Sequence, residues 1–396
     1  MKKRILFLII PIAVIIFNIL VVFNPGPIME GAKAGALLWF NNVLPSLLPF
    51  MIGTNMLLRL GVVDFLGVML EPVMRPLFGV SGKGAFALAM GATSGYPIGA
   101  QICASLREKE EISQIEAQRL LSFVNNSGPL FMIGAIGVGM FGNERIGLFI
   151  LVSNLSGAVL SGLLFKFYKR GKDCGLEKRK KTDLRAPLKS MGATRKIGAE
   201  PFGKILSESV FKALESLLSI AGFIMLFSVL LKILEITGFI EVTAGLLHNA
   251  GLPGGKELIE PAVYGFFEIT NGANKLAATG TDRNVIVLTA ALVAFGGMSI
   301  FSQSAAFLSK TDIKTSVFFI SKLLNAALTA AAGFILYPLW DFGPVLDSAV
   351  PVFATGPVDR LVFSTIICAM VLFTILITAF AVYLGQRIKT FHFQRK

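Results

Sequence analysis

The stretch Ala87–Leu106 reads ALAMGATSGYPIGAQICASL. Apolar and small residues lead in. Gly91, Thr93, Ser94, Gly95, Tyr96, Pro97 and Gly99 then interrupt, and apolar spacing resumes to Leu106. The segment is too apolar for a surface loop, and too broken for a plain crossing, which needs about 20 predominantly apolar residues in helical register. Charges bound it on both sides, Lys83 before and Arg107, Glu108 and Lys109 after. A hairpin that enters a bilayer and leaves by the same face satisfies both features.

The rest of the chain places that hairpin in a membrane protein. Of the 396 residues, 54% are hydrophobic and only 15% charged, and the mean hydropathy is +0.72. Soluble domains carry about 25% charged residues. The net charge of +13 is concentrated. Lys166–Lys204 holds 13 Lys/Arg against 4 Asp/Glu, and Lys2, Lys3, Arg4, Arg387, Lys389, Arg395 and Lys396 hold most of the remainder. These are short segments beside apolar runs, where the positive-inside rule puts cations. That distribution argues for lipid and against nucleic acid as the partner. Cys103, Cys174 and Cys368 show no paired spacing, and His248 and His392 lie far apart. A disulfide framework, a zinc site or any other metal site is therefore not expected.

Counting spans forward gives Ile5–Phe23, uncleaved and with its N-terminus in the cytoplasm, then Gly31–Leu58 returning. Val62–Val80 is amphipathic and interfacial. After the hairpin come Glu116–Met140 and Ile146–Phe167, which deliver the basic loop to the cytoplasm. Glu208–Lys232 goes out, and an interfacial stretch ends at Gly254, Gly255 and Lys256. Leu258–Gly280 is a second interrupted segment, dipping in from outside. Asn284–Leu308, Thr315–Leu339 and Leu361–Leu384 complete the path, with an acidic outside loop between the last two. A full crossing by Ala87–Leu106 would instead place the basic loop outside. The expectation is an all-α polytopic membrane protein of about eight transmembrane helices plus two re-entrant hairpins, both termini cytoplasmic.

Two blocks match at an offset of 168. LVSNLSGAVLSG (Leu151–Gly162) pairs with FISKLLNAALTA (Phe319–Ala330), and Gly128 of FVNNSGPLF meets Gly296 of AFGGMSIFSQ. Each block reads span, hairpin, broken span, span, and they start on opposite sides, as in the inverted repeats of secondary transporters. The chain divides into an N-terminal helix (1–26), a first repeat (27–168), the basic loop (169–206), a second, inverted repeat (207–339), and an acidic loop with the last helix and basic tail (340–396).

Non-helical backbone at membrane depth is tolerated where it is buried in protein or lines a wet cavity, and half-helix N-termini there suit anions. Four breaks, Thr93–Pro97, Asn125–Pro129, Thr270–Asn274 and Gly296–Ser299, are therefore candidates to line one midplane site, against the alternative of mere kinks and close helix packing. The candidate substrate-binding residues are Thr93, Ser94, Gly95, Tyr96, Asn125, Asn126, Ser127, Thr270, Asn271, Asn274, Ser299 and Gln303, with Gln101 nearby. Tyr96 either stacks on a ring or caps the hairpin. Glu268 and Lys322 are intramembrane charges and hence candidates for coupling or charge pairing. Glu268 is read as a site for a coupling proton, a structural ion pair or an exposed tip. Lys322 either pairs with Glu268 or an anionic substrate, or snorkels to the interface. No HExxH, GxSxG or Walker phosphate loop is present, so no enzyme and no cofactor are expected.

LLWFNNVLPSLLPF, GATSGYPIGAQ, NNSGPLF and the long basic loop together resemble the sporulation integral membrane protein YlbJ family, also called SpoVV. That family is part of the gate-domain, nucleoside-recognition group, which is similar in architecture to concentrative nucleoside transporters. The resemblance implies a role in endospore formation, moving dipicolinate across the outer forespore membrane, with Tyr96 or Phe267 stacking on its ring. Those transporters use acidic residues in their broken helices, whereas Asn125, Asn126 and Gln303 stand here. That departure suits an anionic ligand and argues against sodium coupling and nucleoside specificity. Two alternatives stand beside this reading: a transporter of nucleoside-type metabolites, and a membrane scaffold for spore-envelope assembly that transports nothing. A coupling ion, proton or sodium, and a homo-oligomer remain open as partners.

Overall fold

The computed structural model describes residues 2–40, 44–60, 73–129, 131–170 and 201–342. Among them the chain is helical throughout, without strands. Helix α1 (Lys2–Phe23) turns by 104° into α2 (Pro25–Leu38), where Pro25 starts the new helix without wasting an N–H. Helix α3 is Leu44–Arg59. The expected crossing Gly31–Leu58 falls on α2 and α3, and residues 41–43 between them lie outside the described residues. Helices α4 (Gly84–Ser94) and α5 (Ile98–Glu108) are the arms of the first hairpin. Next come α6 (Gln114–Val124), a π-helical stretch Phe131–Met140 and α7 (Glu144–Phe165).

The second half repeats the order. Helix α8 (Phe202–Ile236) is followed by α9 (Phe239–Asn249) and by hairpin arms α10 (Gly255–Phe267) and α11 (Ile269–Thr279). A broken helix, α12 (Arg283–Phe295) and α13 (Gly297–Leu308), leads to α14 (Thr315–Leu336). Glu144–Phe165, Phe202–Ile236, Arg283–Leu308 and Thr315–Leu339 are each long and apolar enough to cross a bilayer, and the bent α1–α2 pair qualifies as a broken span. The expected span Leu361–Leu384, most of the interfacial Val62–Val80 and most of the basic loop lie outside the described residues.

Local signals explain the starts. Ser113 and Glu116 form a capping box at the head of α6, and the Asn143 side chain accepts from Arg145 N at the head of α7. The faces of α7 are inverted relative to a soluble helix. It buries Ser153, Asn154, Gly157 and Ser161 and exposes Val152, Val159, Leu160 and Leu164. Hydrocarbon as solvent favours that pattern, since apolar side chains face lipid freely while polar ones seek protein. α8 likewise exposes Leu206, Phe211, Leu218 and Leu226.

The halves interlock crosswise. α8 packs on α2 and α3, α7 on α14, α6 on α14, and α12 on α7. The second arm of each hairpin contacts the far part of the other half's broken helix: α5 meets α13, and α11 meets Phe131–Met140. Two apolar clusters result, and both halves feed each one. Phe86, Ile98, Leu120 and Phe123 join Phe318 around the first hairpin, while Met132, Ile146 and Phe149 join Ile269, Leu276 and Ile286 around the second.

Candidate functional site

Glycine lets the hairpin tips reach the breaks. In the first hairpin, Gly91 and Gly99 face each other across Val124 of the broken helix. A Cβ on Gly99 would lie 2.8 Å from the Val124 carbonyl carbon and 3.0 Å from Asn125 Cα. Gly95, at φ 80°, puts the tip against Gly128. The second hairpin uses the same device. Gly265 and Gly272 bring its arms together, and its tip sits on Gly297, where a Cβ would meet Gly265 O at 3.1 Å and Phe267 O at 3.2 Å.

Tyr96 then crosses between the halves. Its hydroxyl donates to the Val293 carbonyl, at the end of α12, and a Cβ on Gly296 would touch its ring at 3.2 Å. Here Tyr96 acts as a cap and a wedge. Lys322 of α14 makes the complementary crossing: its Nζ donates to the Asn125 carbonyl at 2.7 Å and to Asn126 Oδ1 at 3.3 Å, and lies 5.5 Å from the centre of the Tyr96 ring. Lys322 is 2% exposed, so it does not snorkel. A lysine at mid-bilayer costs about 2.5–3.5 kcal/mol on insertion scales. Hydrogen bonds to a charged group return about 1.5–3 kcal/mol each.

The amides around it are ordered. Asn125 Oδ1 accepts from Ala100 N at 3.3 Å, and its Nδ2 donates to Ser304 Oγ at 3.1 Å. Asn126 Nδ2 donates to Phe123 O at 2.7 Å, and Asn325 Nδ2 donates to Asn126 Oδ1 at 2.8 Å. Gln303 Nε2 donates to Ser299 Oγ at 3.3 Å, and both residues are buried. Ser127 is buried beside them. Three of the four breaks therefore meet around Tyr96 and Lys322.

Glu268 does something other than pair with Lys322. It is buried and caps α11, accepting from Thr270 N at 3.0 Å and from Asn271 N and Nδ2 at 2.8 and 2.9 Å. The positive end of that half-helix is thus occupied by the protein's own carboxylate. The N-terminus of α13 has no side-chain cap, whereas in the first turn of α5 the Ala100 N–H is met by Asn125 Oδ1. Asn271 and Asn274 are exposed and Thr270 half-buried, away from the amide cluster. The side chains of Thr93 and Ser94, which close α4, lie outside the described residues.

A separate cavity of about 220 Å³ lies between α2, α8 and the second hairpin, lined by Ser228, Lys232, Glu235, Tyr264, Asn271 and Lys275 among others. Lys275 Nζ lies 4.1 Å from the centre of the Tyr264 ring. At the ends of the molecule the halves are tied by ion pairs. Arg107 grips Asp312 with two hydrogen bonds of 2.8 and 3.0 Å, which hold the Asp312 carboxyl below the usual carboxylate range. Arg145 meets Asp341 at 2.6 Å.

Several members of the central group were not among the candidates: Ser304, Asn325, Asn154, Thr329 and the Val293 carbonyl. A signal for three of them, Asn154, Asn325 and Thr329, was present. At the offset of 168, Ser153, Asn154, Gly157 and Ser161 correspond to Ser321, Lys322, Asn325 and Thr329. These eight residues, all buried, lie on the two helices of the α7–α14 seam. The backbones approach closely there, since a Cβ on Gly157 would lie 2.8 Å from Thr329 N. Both polar atoms of Asn154, the hydroxyls of Ser153, Ser161 and Thr329, and Asn325 Oδ1 have no hydrogen-bond partner. Buried groups of this kind are ordinarily met by water or ligand.

Comparison with known proteins gives two matches. A family model described as "Gate: Nucleoside recognition" covers residues 40–144. The sporulation integral membrane protein YlbJ of Bacillus subtilis (strain 168) is 38% identical over 330 residues, 81% of this chain and 80% of that protein. No solved structure matches.

Proposed function

The chain belongs to the family of the sporulation integral membrane protein YlbJ, and on that premise we propose that it carries a small organic anion across a bilayer. It is an integral, multi-pass membrane protein with a nucleoside-recognition gate region. The proposed substrate is dipicolinate and the proposed setting the outer forespore membrane, with both termini in the cytoplasm. The two halves, 27–168 and 207–339, are proposed as inverted repeats that rock about the α7–α14 seam.

One observation carries the reading. Interrupted backbone, amide side chains and an ammonium converge at the junction of the halves, and among the described residues the hydrogen-bond partners of Lys322 are a carbonyl and an amide oxygen rather than a carboxylate. A dicarboxylate suits that chemistry. Its charge would face Lys322 and the N-terminus of α13, and release of the Asn125 and Asn126 amides from Ser304 and Phe123 would supply further donors. The 220 Å³ cavity, with Lys232 and Lys275, is proposed as the approach from the side of the second hairpin. Glu268 then serves as a fixed cap that holds the tip in shape.

A second reading, transport of nucleoside-type metabolites, is favoured by the description of the family model that matches 40–144. Uptake into proteoliposomes separates the two. Saturable entry of radiolabelled dipicolinate with little entry of uridine is the expected result. Saturable uridine entry alone selects the second reading, and flux of neither removes both and leaves the scaffold.

A further inference from the structure

We propose that the first break is a monovalent-cation site that the chain fills with its own side chain, the Lys322 ammonium being the occupant. The oxygens come from the break itself. The main-chain carbonyl of Asn125 lies just past the end of α6, and it receives Lys322 Nζ at 2.7 Å. The second oxygen, Asn126 Oδ1, is aimed by the rest of its amide: Nδ2 donates to Phe123 O at 2.7 Å, which turns Oδ1 toward Lys322 at 3.3 Å. The Tyr96 ring completes the shell at 5.5 Å. A carbonyl, an amide oxygen and a π face all suit a compact cation, and none of them carries charge. The positive charge in this arrangement is supplied by the occupant.

The other half of the chain supplies the contrast. The residue corresponding to Asn125 is Val293, and its carbonyl receives the neutral Tyr96 hydroxyl. The residue corresponding to Lys322 is Asn154, which is fully buried. Only one of the two related positions holds a cation. Glu268, the intramembrane carboxylate expected as a partner for Lys322, spends both oxygens on its own helix. The inference does not depend on what is transported. Under the transport proposal its consequence is that the cycle needs no sodium at this break.

The test removes the tethered ion and offers free ones. Purified Lys322→Ala protein is melted in sodium, potassium, ammonium and N-methylglucamine chloride at equal ionic strength. A saturable rise of several degrees in one or more of the small cations over N-methylglucamine is expected for the variant, with no such rise for the wild type. The proposal is overturned if the variant responds to none of them, or if the wild type responds as strongly. Should Lys322→Ala fail to accumulate, Asn126→Asp decides. It is expected to be tolerated beside Lys322 and to lower the melting temperature sharply in the Lys322→Met background. Equal damage in both backgrounds overturns the proposal. Because the readout is melting rather than uptake, a failed transport assay leaves this test intact.

Discussion

Gly99→Ala tests whether the first hairpin is held by backbone contact with the broken helix. The added Cβ would come to 2.8 Å from the Val124 carbonyl carbon and 3.0 Å from Asn125 Cα. Carbon atoms rest about 3.5–4.0 Å apart, so the tip must retreat by roughly half an ångström or more. Both obstacles are main chain, which cannot swing aside as a side chain would. Overpacking of this kind costs about 1–3 kcal/mol. Gly222→Ala is the internal control. Gly222 lies in the middle of α8, and a Cβ there would meet nothing within 4 Å. That variant gains about 0.8–1.0 kcal/mol of helix propensity. The two one-methyl changes are therefore expected to differ by about 2–4 kcal/mol and to move in opposite directions. At about 2–4 °C per kcal/mol for domains of 150–250 residues, and less for a chain of 396, the separation is several degrees. Differential scanning fluorimetry in detergent reads it, and uptake by the same preparations reports whether the displaced tip still works. If Gly99→Ala melts and transports like Gly222→Ala, the hairpin does not rest on the break and the site described above is not assembled by it.

Tyr96→Phe leaves the Val293 carbonyl without its hydroxyl donor. A buried orphan of that kind is expected to lower stability by about 1–3 kcal/mol, read as a fall in melting temperature. Asp312→Asn is expected to weaken the wild type's advantage in a pH-dependent way. Because Arg107 lowers the Asp312 pKa, the contribution is present above the carboxyl's unfolded value of about 3.9 and is lost as pH falls through the lower folded value. Melting curves of the two proteins should therefore converge only under acid conditions; convergence at neutral pH contradicts the clamp. Lys256→Cys, an exposed position in the first turn of α10, is expected to react with impermeant maleimide from the outside of intact cells. Labelling only after the cytoplasm is opened reverses the orientation proposed for the second half.

The hairpins were legible because glycine and proline break an apolar run, and charge on both flanks limits where the run can go. Capping added a second cue at Ser113 and Glu116. What escaped was pairing across helices. Ser153, Asn154 and Ser161 carry no mark of their own, and nothing along α7 reveals that α14 faces it with Lys322 and Asn325. The offset of 168 lined those positions up, yet alignment names correspondence, whereas contact between corresponding positions follows from how the halves fold on one another. Glu268 illustrates the opposite case. A carboxylate amid Phe266, Phe267 and Ile269 invited a coupling role. Its place one residue before Ile269 makes it the N-cap of α11, a local job that short-range spacing determines.

The correspondence of Asn154 with Lys322 also bears on why the two halves share one polypeptide. An association of identical subunits would repeat every substitution on both sides of its axis, so a lysine there would bring a like-charged twin. Covalent fusion lifts that constraint: one copy can acquire an ammonium while its sibling keeps an uncharged amide. Under the proposed repeat, an ammonium on one side of this seam alone is a property that duplication followed by joining would make available, and that a symmetric pair could not reach.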